Sequence, residues 1–214
     1  MDANKRKSKR TVRAGRPSRA SAGQRQQQLL AVALDVFLAA GYEAASLNHI
    51  AKVSGVSRDT IYRQYKSKAA LFRAATTHAF REMSGHLESA IQPQEPPEIV
   101  LDRVIRYIHR DTADSYHNQV IRLSLSESYR SSEMAGHVLE ASREFLRPLS
   151  AYLAEQKRRG VLRLEDPDET ALILASMVAG GGHFFVGRLP ETSTESDTWC
   201  DQMLDWILYG LKRS

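Results

Sequence analysis

The sequence predicts an all-α protein of about nine helices, a three-helix N-terminal unit followed by a larger helical body. Three observations point there. From Gln24 onward apolar residues recur every three or four positions almost without a break, which is the helical period. No stretch of useful length alternates apolar and polar residues as a strand would, and no internal repeat is present. Glycines and prolines fall between the periodic segments, where helices must stop.

The elements follow in order. Residues 1–22 (MDANKRKSKRTVRAGRPSRASA) carry almost no large apolar side chain and read as a flexible basic arm. Segment 24–40 stripes Leu30, Leu34, Phe37 and Leu38 and ends at Gly41, a natural residue for a left-handed helix terminus. Two short helices occupy 47–54, stopped by Gly55, and 58–65. Segment 68–91 lines up Leu71, Phe72, Ala75, Ala79, Phe80, Met83, Leu87 and Ile91, and Pro93, Pro96 and Pro97 then forbid its continuation. Five more helices are predicted at 98–114, 118–129, 133–159, 168–188 and 195–211. Asp166-Pro167-Asp168-Glu169 is a start signal for the fourth of these: a capping carboxylate, then proline at the first helical position. Gly180-Gly181-Gly182 inside it costs on the order of 3 kcal/mol against alanines, offset by a close crossing, a kink or room for a ligand. Domain limits are set at 1–22, 23–70 and 71–214, the second border falling inside the long helix.

Charge divides the chain more sharply than its net +5 suggests. Residues 1–80 hold 15 Lys/Arg against 4 acids; residues 81–214 hold 15 against 21. One end is built to meet an anion. Cys200, alone in the sequence, cannot form an internal disulfide; this suggests a reducing compartment and excludes a cysteine-based zinc site. Asp35 interrupts the apolar run Leu29–Ala40, so the run reads as a helix rather than a secretion signal, and no run of about 18 apolar residues offers a membrane span. The expected location is cytoplasmic. The seven histidines (49, 78, 86, 109, 117, 137, 183) show no HExxH spacing, and neither a Gly-x-Ser-x-Gly elbow nor a nucleotide loop occurs. No enzyme activity, metal or cofactor is expected.

The informative stretch is Ser46–Leu71, SLNHIAKVSGVSRDTIYRQYKSKAAL. Two short helices flank Ser54-Gly55-Val56-Ser57; Ile50, Ala51, Val56 and Ile61 can form a small core, Gly55 the tight turn, and Ser57 the cap of the second helix. This is a helix-turn-helix, whose second helix lies in a DNA major groove. Arg58 can reach a guanine edge or a phosphate; Asp59 can accept from a cytosine amino group or orient Arg58; Thr60 suits a methyl or phosphate contact. Arg63 and Gln64 sit on the following turn, where Gln can read adenine. Ser46 can cap its helix or donate to phosphate, the Tyr62 hydroxyl suits phosphate, and Lys66 and Lys68 stand where the long helix begins.

With Phe37, Gly41, Ser46, Ile50-Ala51, Gly55-Val56-Ser57, Thr60-Ile61-Tyr62, Tyr65, Ser67-Lys68 and Leu71-Phe72 in register, the chain resembles the TetR family of bacterial transcription regulators over about residues 24–72. Asp59, where members often carry a small residue, and Gln64, in place of a common His or Tyr, depart from the pattern. The resemblance implies a palindromic double-stranded DNA operator bound by a homodimer, repression, and release by a small-molecule effector. It makes Tyr62 a backbone contact, Tyr65 a packing residue and Lys68 a phosphate contact. It also implies that the two last helices, which are more apolar than one buried stripe requires, pair with their copies through Phe185, Trp199, Met203, Trp206 and Ile207. The effector would lie between the body helices, for which Tyr107, Tyr129, Phe145, Tyr152, His183 and Phe184 are the candidate lining.

Overall fold

A computed structural model of the chain describes residues 19–112, 116–180 and 193–211. Among these, nine helices and no strand are found: α1 (Arg19–Ala44), α2 (Leu47–Ser54), α3 (Arg58–Tyr65), α4 (Lys68–Ala90), α5 (Pro97–Thr112), α6 (Tyr116–Ser128), α7 (Ser132–Arg158), α8 (Pro167–Gly180) and α9 (Ser193–Leu211). The all-α expectation holds. The expected arm 1–22 is shortened, because α1 starts at Arg19; residues 1–18 lie outside the described part. Gly181, Gly182, His183, Phe184 and Phe185 lie outside it too.

The N-terminal head folds around aromatic rings. Phe37 of α1 meets Phe72 of α4 edge-on at 5.1 Å between centroids, and Tyr42 packs against both. Leu34, Ile50, Ile61 and Leu71 close this core from four helices. Gly41 does more than end a helix: with φ 77° it bends α1, which resumes for one turn to Ala44. A side chain there would sit in a backbone region that L-residues avoid.

Helix α4 continues without interruption from the head core into the body, where it packs on α7, α5 and α6. Helix α7 carries Pro148 in its interior, a feature the helical spacing alone did not reveal. Proline has no N–H, so the carbonyl of Glu144, four residues earlier, loses its helical partner. Ser84 of α4 replaces it: its buried hydroxyl donates to Glu144 O at 3.1 Å. The defect in α7 is thus satisfied from α4, the helix packed along it. Helix α8 begins as its sequence announces, with the Asp166 carboxylate accepting from the amides of Asp168 at 2.8 Å and Glu169 at 3.2 Å.

Helix α9 docks on α5. Arg106 donates to Asp102 on its own helix (2.9 Å) and to Asp197 (2.8 Å) and Asp201 on α9. Trp199 stacks on His109 at 4.6 Å. Met203, Ile207 and Cys200 are buried within the chain itself, and burial pushes the Cys200 thiol up to about 11. Met203 and Ile207 therefore belong to the subunit core rather than to an outer face, which corrects the expectation for them; Trp199 likewise has its partner inside the chain. The outward residues are Trp206, 65% exposed, and Tyr209 on α9, with Ile173 and Met177 on α8.

Candidate nucleic-acid interface

Helices α2 and α3 are eight residues each, too short to be stable alone in water. Caps and tertiary packing hold them. Ser46 caps α2 by accepting from the His49 amide at 3.2 Å, and Ser57 caps α3 by accepting from the Thr60 amide at 3.2 Å and pairing with the Thr60 hydroxyl at 2.9 Å. Gly55 turns the chain between them in the left-handed region (φ 68°). Each short helix sends one isoleucine, Ile50 or Ile61, completely into the core.

The rest of α3 faces water. Arg58, Asp59, Tyr62, Arg63 and Gln64 are exposed, and Thr60 is partly so. Arg58 lies over the Tyr62 ring, 5.7 Å from its centroid, a cation–π contact that limits how both side chains can point. Tyr65 turns inward, half-buried, with its hydroxyl 3.4 Å from the Gln26 amide nitrogen. Ser46 and Ser57 are exposed even though their oxygens serve as caps.

The two lysines after α3 part company. Lys66 is exposed and occupies the left-handed region (φ 62°), the only non-glycine to do so among the described residues; its amide donates to Tyr62 O at 2.8 Å to close α3. Lys68 is held instead. Its ammonium donates to the carbonyls of Tyr42 (2.9 Å), Glu43 (2.9 Å) and Ala45 (3.3 Å) and sits 4.6 Å from the centroid of the Tyr42 ring. An ammonium has three protons, and three carbonyls take them. In this geometry Lys68 neutralises the carbonyl end of α1, a favourable place for a cation, and the expected phosphate contact requires it to leave these carbonyls.

One pair of side chains was not expected from the sequence. Arg25 and Gln26 of α1 line a groove of about 360 Å³ together with Ser57, Thr60 and Gln64 of the helix-turn-helix. The signal was the start of α1, which lies earlier than its first apolar residues suggest.

The body holds an apolar cavity of about 290 Å³ between α4, α5, α6, α7 and α8, walled by Phe80, Met83, Ile108, Ile121, Phe145 and Leu172 among others. Of the expected lining residues Phe145 is there. The Tyr107 and Tyr152 hydroxyls instead donate to the main-chain carbonyls of Met83 (3.2 Å) and Glu95 (2.9 Å), and burial raises the Tyr152 phenol to about 12. Tyr129 is 90% exposed at the end of α6. These three are corrections: the tyrosines lock helices together or face water. Among the described residues no cluster of His, Cys, Asp and Glu suits a metal, and no helix is long and apolar enough to cross a membrane.

A capped helix-turn-helix with an exposed polar second helix, set on a helical body, defines a DNA-binding protein of the regulator type. Family models agree: that of bacterial regulatory proteins of the tetR family matches residues 29–75, and that of the AefR-like transcriptional repressor C-terminal domain matches residues 99–192. A TetR-family regulator structure from Mesorhizobium loti superposes with TM-score 0.77 at 19% identity, over 92% of this chain and all of that one. The flavonoid-responsive regulator FrrA gives 0.64 at 25% identity, over 89% and 98%. The HTH-type transcriptional regulator YvkB of Bacillus subtilis is 24% identical over 76% of this chain and 82% of its own. The chain belongs to the TetR family of transcriptional regulators.

Proposed function

We propose that this regulator is a repressor that binds a palindromic operator as a homodimer and is released when a small molecule enters the body. The observation that carries the reading is the exposed polar surface of α3, held by a sequence of caps that leaves Asp59, Arg63 and Gln64 turned to solvent to meet base edges, with Arg58 beside them over the Tyr62 ring. Tyr62, Lys66, Ser46, Ser57 and Thr60 supply the backbone contacts that fix its register, and Arg25 extends them. An eight-residue helix reads few base pairs; a two-fold dimer doubles them, and the apolar residues turned outward on α8 and α9, Ile173, Met177, Trp206 and Tyr209, are suited to that interface. The matched C-terminal model being that of AefR-like repressors supports the sign of regulation.

Release is proposed to run through α4 and α6, which touch both the cavity and the head. Helix α6 reaches α1 through Tyr116, whose hydroxyl donates to Asp35 at 3.1 Å, and Arg130, just past its end, pairs with Glu43 at 2.8 Å. A ligand acts by preferring one of two arrangements of these helices. The effector-responsive description of FrrA is in keeping with this. The test is selection of genomic fragments by the purified protein. An enriched inverted repeat with half-sites about one or two helical turns apart is expected; enrichment of no common sequence overturns the proposal.

A further inference from the structure

Resting on the reading of the body as an effector site, we infer that its ligand is a compact, electrically neutral lipophile that can donate a hydrogen bond but finds none donated to it. The cavity's walls carry no charged side chain among the described residues. A carboxylate or ammonium placed against these walls would lose much of its hydration and meet no counter-charge from the described residues. The polar side chains in the described part of the wall are Ser142, half-buried, and Ser176, at its exposed rim. Both hydroxyl protons are already committed: Ser142 donates to Val138 O at 2.8 Å and Ser176 to Leu172 O at 2.7 Å, each four residues back in its own helix. What the serines retain is lone pairs. Among the described residues the wall thus offers acceptors and no uncommitted side-chain donor, which suits a phenol or alcohol better than a ketone, ester or acid. At about 290 Å³ it stands at the small end of ligand cavities, room for one or two rings rather than an extended chain or a macrocycle. Phe80 and Phe145 meet edge-on in the wall, centroids 6.5 Å apart and planes at 62°, and a third ring added to this pair favours an aromatic skeleton.

Three probes of one skeleton test this on the full chain by calorimetric titration: 4-phenylphenol, biphenyl-4-carboxylate and 4-phenylbenzylamine. The phenol is expected to bind at least about tenfold more tightly than either ion, since one unpaired buried charge outweighs that factor. Ser142→Ala should weaken the phenol by about fivefold and leave biphenyl itself unchanged, the effect of one neutral hydrogen bond. Ala175→Leu, which fills the cavity without a new polar group, should abolish binding of both. Equal or tighter binding of an ion, binding of none of the probes up to their solubility, or binding indifferent to Ala175→Leu each overturns the inference. The same samples are then titrated with the selected operator. If the phenol binds as described but operator affinity is unmoved, the ligand class stands and the release reading fails; if an ion both binds best and releases DNA, the reverse is true.

Discussion

The head and the body handle polar groups in opposite ways. In the head the backbone is satisfied by Ser46, Ser57 and Lys68, and the longer side chains of α3 remain on the exposed surface. In the body polar side chains are turned onto the chain itself: Tyr107, Tyr152, Ser142 and Ser176 all donate to main-chain carbonyls, and Ser84 repairs a break made by Pro148. A surface that reads hydrogen-bonding edges must keep its donors available. A cavity that takes a lipophile must keep them occupied. The contrast explains why one end of the molecule is legible as individual side chains and the other as a shape.

Substitutions can break this contrast, beginning with the largest effects. Phe72→Ala empties the ring cluster that joins α1 to α4 and should cost about 3–5 kcal/mol in urea unfolding, with DNA binding abolished as the head loosens. Ser84→Ala leaves the part-buried Glu144 carbonyl without its donor and should cost about 1–2 kcal/mol, with base preference unchanged. Arg63→Ala or Gln64→Ala should do the opposite: little loss of stability, about 1–3 kcal/mol of binding to the selected operator, and relaxed preference at the base pairs beneath α3.

The two lysines sharpen the comparison within the head. Lys66→Met should flatten the dependence of log affinity on log salt by about 0.9 for each phosphate it no longer neutralises, while Lys68→Met should leave that slope as it is and lower the melting temperature instead. A flattened slope for Lys68→Met would restore it as a phosphate contact.

The smallest effect is one of pH. His137 of α7 is half-buried beside Thr76 of α4, 3.0 Å from its hydroxyl, and burial, helped by the Arg73 charge, holds its pKa below the usual value. The neutral ring is the form the fold prefers, so the unfolded chain binds the proton more readily and stability falls as pH drops through about 6.5. His137→Gln should lose less stability than the parent between about pH 7.5 and 5.5, compared by thermal unfolding. An equal loss in both removes His137 from the pH response.

The helices themselves were readable because the apolar period and the stop signals agree: α2 and α3 run between the residues that their sequence marks, from Ser46 to Gly55 and from Ser57 onward. The exposed face of α3 was legible because exposure is set locally, by position on one short capped element. Three things were not. Met203 and Ile207 share a stripe with Trp206, and an apolar stripe alone does not say whether α5 of the same chain or a second subunit covers it. The tyrosines were expected to line the cavity for their size, but a hydroxyl's destination depends on which carbonyl a distant helix brings near, as Met83 and Glu95 show. Lys68 is local to the motif in sequence, yet the carbonyls it holds come from residues 42, 43 and 45, placed there by the bend at Gly41.

The most direct measurement is the ratio of dissociation constants for the selected fragment and for a shuffled fragment of equal length, both at the same physiological salt. Reading by α3 is expected to give a ratio of at least about 10³, reduced by Gln64→Ala and insensitive to Lys68→Met. Similar affinities for the two fragments would mean that the basic end of the chain holds DNA by charge alone, and that α3 does not read it.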